Sequence, residues 1–69
     1  MKLSDVDINE IRIGDKVSSP LGIYGYITNI IHMHNTEYKE DHEIEIKWFN
    51  GAVTLLSQIE AFNIVLVNN

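Results

Sequence analysis

Apolar and polar positions alternate most cleanly over His42–Phe49, where Ile44, Ile46 and Trp48 fall on one side and Glu43, Glu45 and Lys47 on the other. A period of two marks a half-buried β-strand. Asn50-Gly51 follows directly, a dipeptide suited to the positive φ angles of a tight hairpin turn. Counting outward from a two-residue turn pairs Phe49 with Ala52, Trp48 with Val53 and Ile46 with Leu55. Apolar then faces apolar, so register and burial agree. Trp48 goes to the core side, and Phe49 and Leu56 to the outer side.

Upstream, Tyr26–His34 reads as a long strand. Setting Ile31 opposite Ile46 and Met33 opposite Ile44 buries the apolar set. The same register brings His32 near Glu45 and His34 near Glu43 on the outer face, each imidazole beside a carboxylate that favours its charged form. Asn35–Asp41 is the polar, acidic loop tip between the two strands.

Lys16-Val17-Ser18 reads as a first strand, entered through the turn signal Gly14-Asp15 from the alternating Ile11-Arg12-Ile13. In Ser19-Pro20-Leu21-Gly22, proline presets φ and glycine supplies positive φ, which predicts a type II turn. Gly25 at the next strand start predicts a bulge or a close backbone approach. Ser57 and Glu60 have capping-box spacing and predict one 3₁₀ turn, after which Phe62–Val67 forms the closing strand. Met1–Glu10 is an arm that packs on the barrel as a strand or a single helical turn, with Ser4 or Asp5 as its cap.

These elements make one domain over residues 1–69, an arm at 1–10 and a barrel at 11–67. The expected class is all-β: a five-stranded, strongly bent barrel with one 3₁₀ turn before the last strand. Eleven isoleucines favour strands. A chain this short buries only about 60 % of its unfolded surface, and closing the sheet removes most free edges. With no cysteine there is no disulfide and no thiolate zinc site.

A chain without cysteine fits a reducing cytoplasm. Met1–Asp15 lacks the apolar stretch of a signal peptide. The uncharged run from Val17 to about Asn35 is interrupted by Pro20, Gly22 and Gly25, so no membrane span is expected. The net charge is −5, with the five basic residues scattered. That balance points to a protein partner more than to nucleic acid, whose binders usually carry a basic patch.

The residues Gly14-Asp15-Lys16-Val17, Pro20, Gly22, Gly25-Tyr26-Ile27, Ile46-Lys47-Trp48, Asn50-Gly51 and the closing Ile59 to Val67 carry a resemblance. Their order is similar to that of a Src-homology-3-type small barrel. It resembles KOW and Tudor-like domains, including the Tudor-like module at the C-terminus of bacterial repair helicases and transcription-factor domains of the same shape. The resemblance implies binding to polymerase or ribosomal components, to nucleic acid or to peptide tails. Domains of the KOW type that bind RNA are usually basic, and this chain is acidic. Tudor-type readers need an aromatic cage, and Trp48 is already placed inward.

The expected function is a non-enzymatic protein-interaction module. Small size and an Ile- and Asn-rich composition suggest a phage or bacterial accessory protein acting on host transcription, repair or defence machinery. The expected partner-binding residues are Tyr24, Tyr26, Glu37, Tyr38, Glu40, Asp41, Glu43, Glu45 and Phe49. The tyrosines and Phe49 supply apolar contact, and the five carboxylates within Glu37–Glu45 steer onto a basic surface. The alternative is a KOW-like nucleic-acid-binding domain using Lys16, Tyr26 and Lys47. His32, His34 and His42 are weak candidates for an N/O metal site, and the simpler reading makes them surface imidazoles beside carboxylates. No cofactor is expected. No serine sits in a nucleophile elbow and no cysteine is present, so no enzyme activity is expected.

Overall fold

The alternating run lies at the second position of a single antiparallel sheet. The computed structural model describes residues 1–32 and 42–67. Its strands are β1 (Lys16–Ser18), β2 (Tyr24–His32), β3 (His42–Trp48), β4 (Val53–Ser57) and β5 (Val65–Leu66). Their lateral order is β4-β3-β2-β1-β5. The sheet is not closed, since the end strands β4 and β5 do not pair with each other among the described residues. Among those residues no helix is long and apolar enough to cross a membrane.

The hairpin joining β3 and β4 differs from the two-residue turn expected. Trp48 N–H donates to the Ala52 carbonyl at 2.8 Å and Gly51 N–H to the Trp48 carbonyl at 2.9 Å, with Gly51 at φ +91°. This is a three-residue loop, a turn followed by a left-handed glycine bulge. The extra residue slips β4 by one, so Lys47 faces Val53, Ile46 faces Thr54, Glu45 faces Leu55 and Ile44 faces Leu56. A one-residue slip reverses every side chain of a strand. Val53 and Leu55, expected inside, are therefore 60 % and 57 % exposed. Leu56, expected outside, packs half-buried against the core.

The Ser19–Gly22 loop is built in the same way, which corrects the type II expectation. Gly22 N–H donates to the Ser19 carbonyl and Ser19 N–H to the Ile23 carbonyl, with the positive φ at Gly22, one place later than a type II turn requires.

The β2–β3 register also differs. Ile27 faces Ile46, a bulge intervenes before Asn29, and beyond it Asn29 faces Glu45, Ile30 faces Ile44, Ile31 faces Glu43 and His32 faces His42. Strict alternation through Ile27 and Ile31 would carry Asn29 to the core side. The extra residue instead brings Ile27 and Ile30 to it. Thr28 Oγ1, at the bulge, donates to Glu45 Oε1 at 2.9 Å. The expected pairing of His32 with Glu45 is thus overturned, because Asn29 and the Thr28 hydroxyl occupy that place. The pairings expected for Met33 and His34 lie outside the described residues.

Met1–Glu10 forms two 3₁₀ turns, Leu3–Asp5 and Ile8–Glu10, and Asp7 caps the second through a bond from Asn9 N–H. The arm buries Leu3 and Val6 and runs along the outer edge of β5. Leu3 N–H donates to the Ile64 carbonyl and Leu66 N–H to the Met1 carbonyl, with Lys2 bridged to Val65. Gln58, in the predicted 3₁₀ turn Gln58–Glu60, is fully buried, and its Nε2 donates to the carbonyls of Leu3 and Val6. The capping box forms as expected, with Ser57 Oγ donating to Glu60 Oε1 at 2.7 Å. The closing strand is shorter than expected, and Phe62 lies in an exposed turn before it.

Leu3, Val6, Ile11, Val17, Ile27, Ile44, Ile46, Ala61 and Ile64 form the core between the sheet and the arm. Fully burying a side chain of this kind contributes about 1.5–3 kcal/mol. Trp48 closes one end of this layer. A Cβ on Gly25 would lie 2.7 Å from the Trp48 ring and 2.9 Å from the Lys47 carbonyl, so the close approach predicted for Gly25 is made by the indole.

Candidate functional site

The outer face of the sheet carries most of the described candidates, and register decides which of them meet. Lys16, Tyr26 and Lys47 stand side by side across β1, β2 and β3, with Val53 next in the row on β4. Tyr24 lies two residues along β2 from Tyr26. Lys16 Nζ is 4.2 Å from the centroid of its ring, a cation–π contact. The Phe49 N–H donates to the Tyr24 carbonyl, which draws the β3–β4 hairpin toward β2. Phe49 is then 65 % exposed with its ring centroid 5.5 Å from that of Tyr26, tilted by 51°. Tilted aromatic pairs at this separation attract.

Beside this pair is a groove of about 350 Å³ lined by Tyr26, Thr28, Lys47, Trp48, Phe49 and Gly51. Along β3 the outer charges run Glu43, Glu45, Lys47, so the face is acidic toward the 33–41 end and basic beside the groove. Glu43 is exposed. Glu45 is half-buried, held by the Thr28 hydroxyl.

Of the partner-binding residues read from sequence, Tyr24, Tyr26, Glu43, Glu45 and Phe49 share this face. Glu37, Tyr38, Glu40 and Asp41 lie outside the described residues, as does His34. The alternative set Lys16, Tyr26 and Lys47 comes together in one row. His42 is buried at 3 % exposure on the side of Ile44 and Ile46, which corrects its reading as a surface imidazole. Among the described residues no group of three or more His, Asp or Glu gathers to hold a metal ion.

Sequence reasoning missed Val53, Leu55 and Ile31, which widen the exposed apolar surface. It also missed Trp48, a half-buried residue that contributes to the lining of the groove. The signal was the position of Gly51. Counted as a left-handed bulge glycine rather than as the second residue of a two-residue turn, it places Val53 and Leu55 outside. Comparison with family models, with curated proteins and with solved structures gives no match to this chain.

Proposed function

We propose that this chain is a non-enzymatic interaction module of the Src-homology-3 type, KOW- or Tudor-like in its element order, that docks a protein partner on the outer face of β2, β3 and β4. The observation that carries this reading is the Tyr26–Phe49 pair beside an apolar groove, flanked by charges of both signs. Exposed aromatics at the centre of a face are the usual anchors of protein recognition. The run Glu43, Glu45, Lys47 fits a segment that seats an apolar side chain in the groove and carries its own basic and acidic groups to either side. A polyphosphate chain crossing the same strands would meet Glu43 and Glu45. A role as a phage or bacterial accessory protein, acting in the cytoplasm on host transcription, repair or defence machinery, is consistent with such a module.

The test is a partner captured by the intact chain from its native host, purified and titrated into isotopically labelled protein. Shifts at Tyr24, Tyr26, Lys47 and Phe49, with weakened binding by Phe49→Ala and Glu43→Lys, are expected. A partner bound equally by both variants, with shifts elsewhere, overturns the reading.

One observation favours a second reading. The Lys16–Tyr26–Lys47 row, with Tyr24 and Phe49 beside it, has the interleaving of cations and aromatic rings that binds single-stranded nucleic acid. Anisotropy of a labelled single-stranded oligonucleotide separates the two. Binding that weakens steeply with salt supports nucleic acid, and no binding at low salt removes it.

A further inference from the structure

The two ends of the sheet are treated differently. At β5 the outer edge is covered, because Met1–Leu3 bonds to Ile64 and Leu66 and Lys2 bridges Val65. At β4 no strand pairs with the outer edge among the described residues. Exposed edge strands are normally blunted by a charge, a proline or a bulge. Val53–Ser57 reads Val-Thr-Leu-Leu-Ser and has none of these. We propose that β4 is the pairing edge for β4 of a second copy of this chain, joining the two sheets into one about a two-fold axis at Thr54.

Backbone direction fixes which groups are free. Trp48 N–H bonds to the Ala52 carbonyl, so hydrogen-bonded pairs recur every second residue, at Ile46–Thr54 and Ile44–Leu56. The N–H and C=O of Val53, Leu55 and Ser57 therefore point away from β3. Ser57 N–H is taken by Glu60 Oε1 in the capping box, which closes the free edge at that end. Val53 and Leu55 remain. An axis at Thr54 sets Val53 against Leu55 of the second copy and Leu55 against its Val53, and both pairs exchange both hydrogen bonds.

Charge selects the same axis. Each copy carries net charge −5, so a contact that aligns like charges is disfavoured. With the axis at Thr54, one outer row runs Lys47, Val53, then Leu55 and Glu45 of the second copy, and its mate runs in reverse. Opposite charges end each row, three strand spacings or about 14 Å apart at the backbone, with long side chains leaning over an apolar centre. An axis at Leu55 would end the central row in Glu45 on both sides. On the inner face Thr54 Oγ1 accepts from Trp48 Nε1, leaving its own proton for the threonine across the axis. Head-to-tail pairing of β4 with β5 is blocked by the arm on β5.

Hydrogen exchange and sedimentation on the unmodified protein over a range of concentration test this. The sedimenting mass is expected to double as concentration rises, with Val53 and Leu55 amides gaining protection in step while those of Thr54 and Leu56 are protected throughout. Leu55→Pro removes an edge donor and a side chain of the seam while leaving the β3 hydrogen bonds intact, and Val53→Lys adds a charge beside it. Both are expected to leave the amide spectrum of a folded protein and abolish the dimer. Lys47→Glu is expected to weaken the dimer, and the swap Glu45→Lys with Lys47→Glu to restore it. A chain that stays monomeric at millimolar concentration overturns the proposal. So does a dimer that survives Leu55→Pro, or one in which Val53 and Leu55 amides exchange freely.

Discussion

The indole Nε1–H of Trp48 donates to the hydroxyl of Thr54 at 2.9 Å, tying β3 to β4 across the register that the three-residue loop imposes. The bond fixes the ring, and the fixed ring fills the space above Gly25. Gly25→Ala must therefore move both the indole and the Lys47 carbonyl. Overpacking of this kind costs about 1–3 kcal/mol, and the upper half of that range is expected because one neighbour is backbone. Thr54→Val should cost about 1 kcal/mol through the unmet indole N–H, and Thr54→Ser much less. Urea unfolding followed by fluorescence of the single tryptophan reads all three.

The loop itself makes a separable prediction. Gly51 sits at φ +91° with open space where a Cβ would stand, so Gly51→Ala meets backbone strain without a clash. A left-handed L-residue costs roughly 1–2 kcal/mol. Gly51→Asn should cost less than Gly51→Ala, since asparagine visits this region more readily, and D-alanine placed at 51 by chemical synthesis should restore stability. Equal losses for L- and D-alanine in thermal unfolding would mean that space, not φ, limits this position.

Much of the fold was legible because alternation on β3 and the glycine turns fixed where strands begin and end. Register was less so. Asn50-Gly51 serves two- and three-residue loops alike, and the choice rests on a tertiary preference. The longer loop gives Trp48 a hydroxyl from Thr54 and lets Phe49 reach Tyr26. Likewise nothing in the polarity of Tyr26–Ile31 announces a bulge at Thr28. It becomes necessary only when Ile27 and Ile30 must face one core. Tyr24, Tyr26 and Phe49 were expected to be exposed and are, since their placement depends on β2 and the loop. Val53 and Leu55 were expected inside and are exposed, since their side depends on the slip.

Gln58 ties the 3₁₀ turn Gln58–Glu60 to the arm. Its Nε2 serves two carbonyls, Leu3 and Val6, whose own side chains are buried beneath it. Gln58→Leu keeps the volume and takes the donor from both carbonyls, Leu3 O keeping its bond from the Val6 N–H while Val6 O loses the amide. Each unsatisfied buried acceptor costs about 1–3 kcal/mol. Loss of about 1–3 kcal/mol is expected, with faster exchange of the Leu3 and Leu66 amides as the arm loosens from β5. Retained protection at those amides would show that the arm holds without Gln58.

Phe49 should behave in the opposite way. Its ring is 65 % exposed and touches Tyr26 rather than the core, so Phe49→Ala should change stability by little more than about 0.5 kcal/mol. An interface anchor of this kind typically costs more than about 1 kcal/mol of binding when truncated, and often about 2. The affinity for a captured partner should therefore fall at least about fivefold while the unfolding midpoint hardly moves. Lys16→Ala, which removes the cation over Tyr24 without touching the groove, should weaken a protein partner less than Phe49→Ala does. For single-stranded nucleic acid the order should be nearer parity, and Lys16→Ala should also flatten the salt dependence by one phosphate contact. Calorimetry with the purified partner and with an oligonucleotide, each over a salt series, measures both orders on the same set of variants.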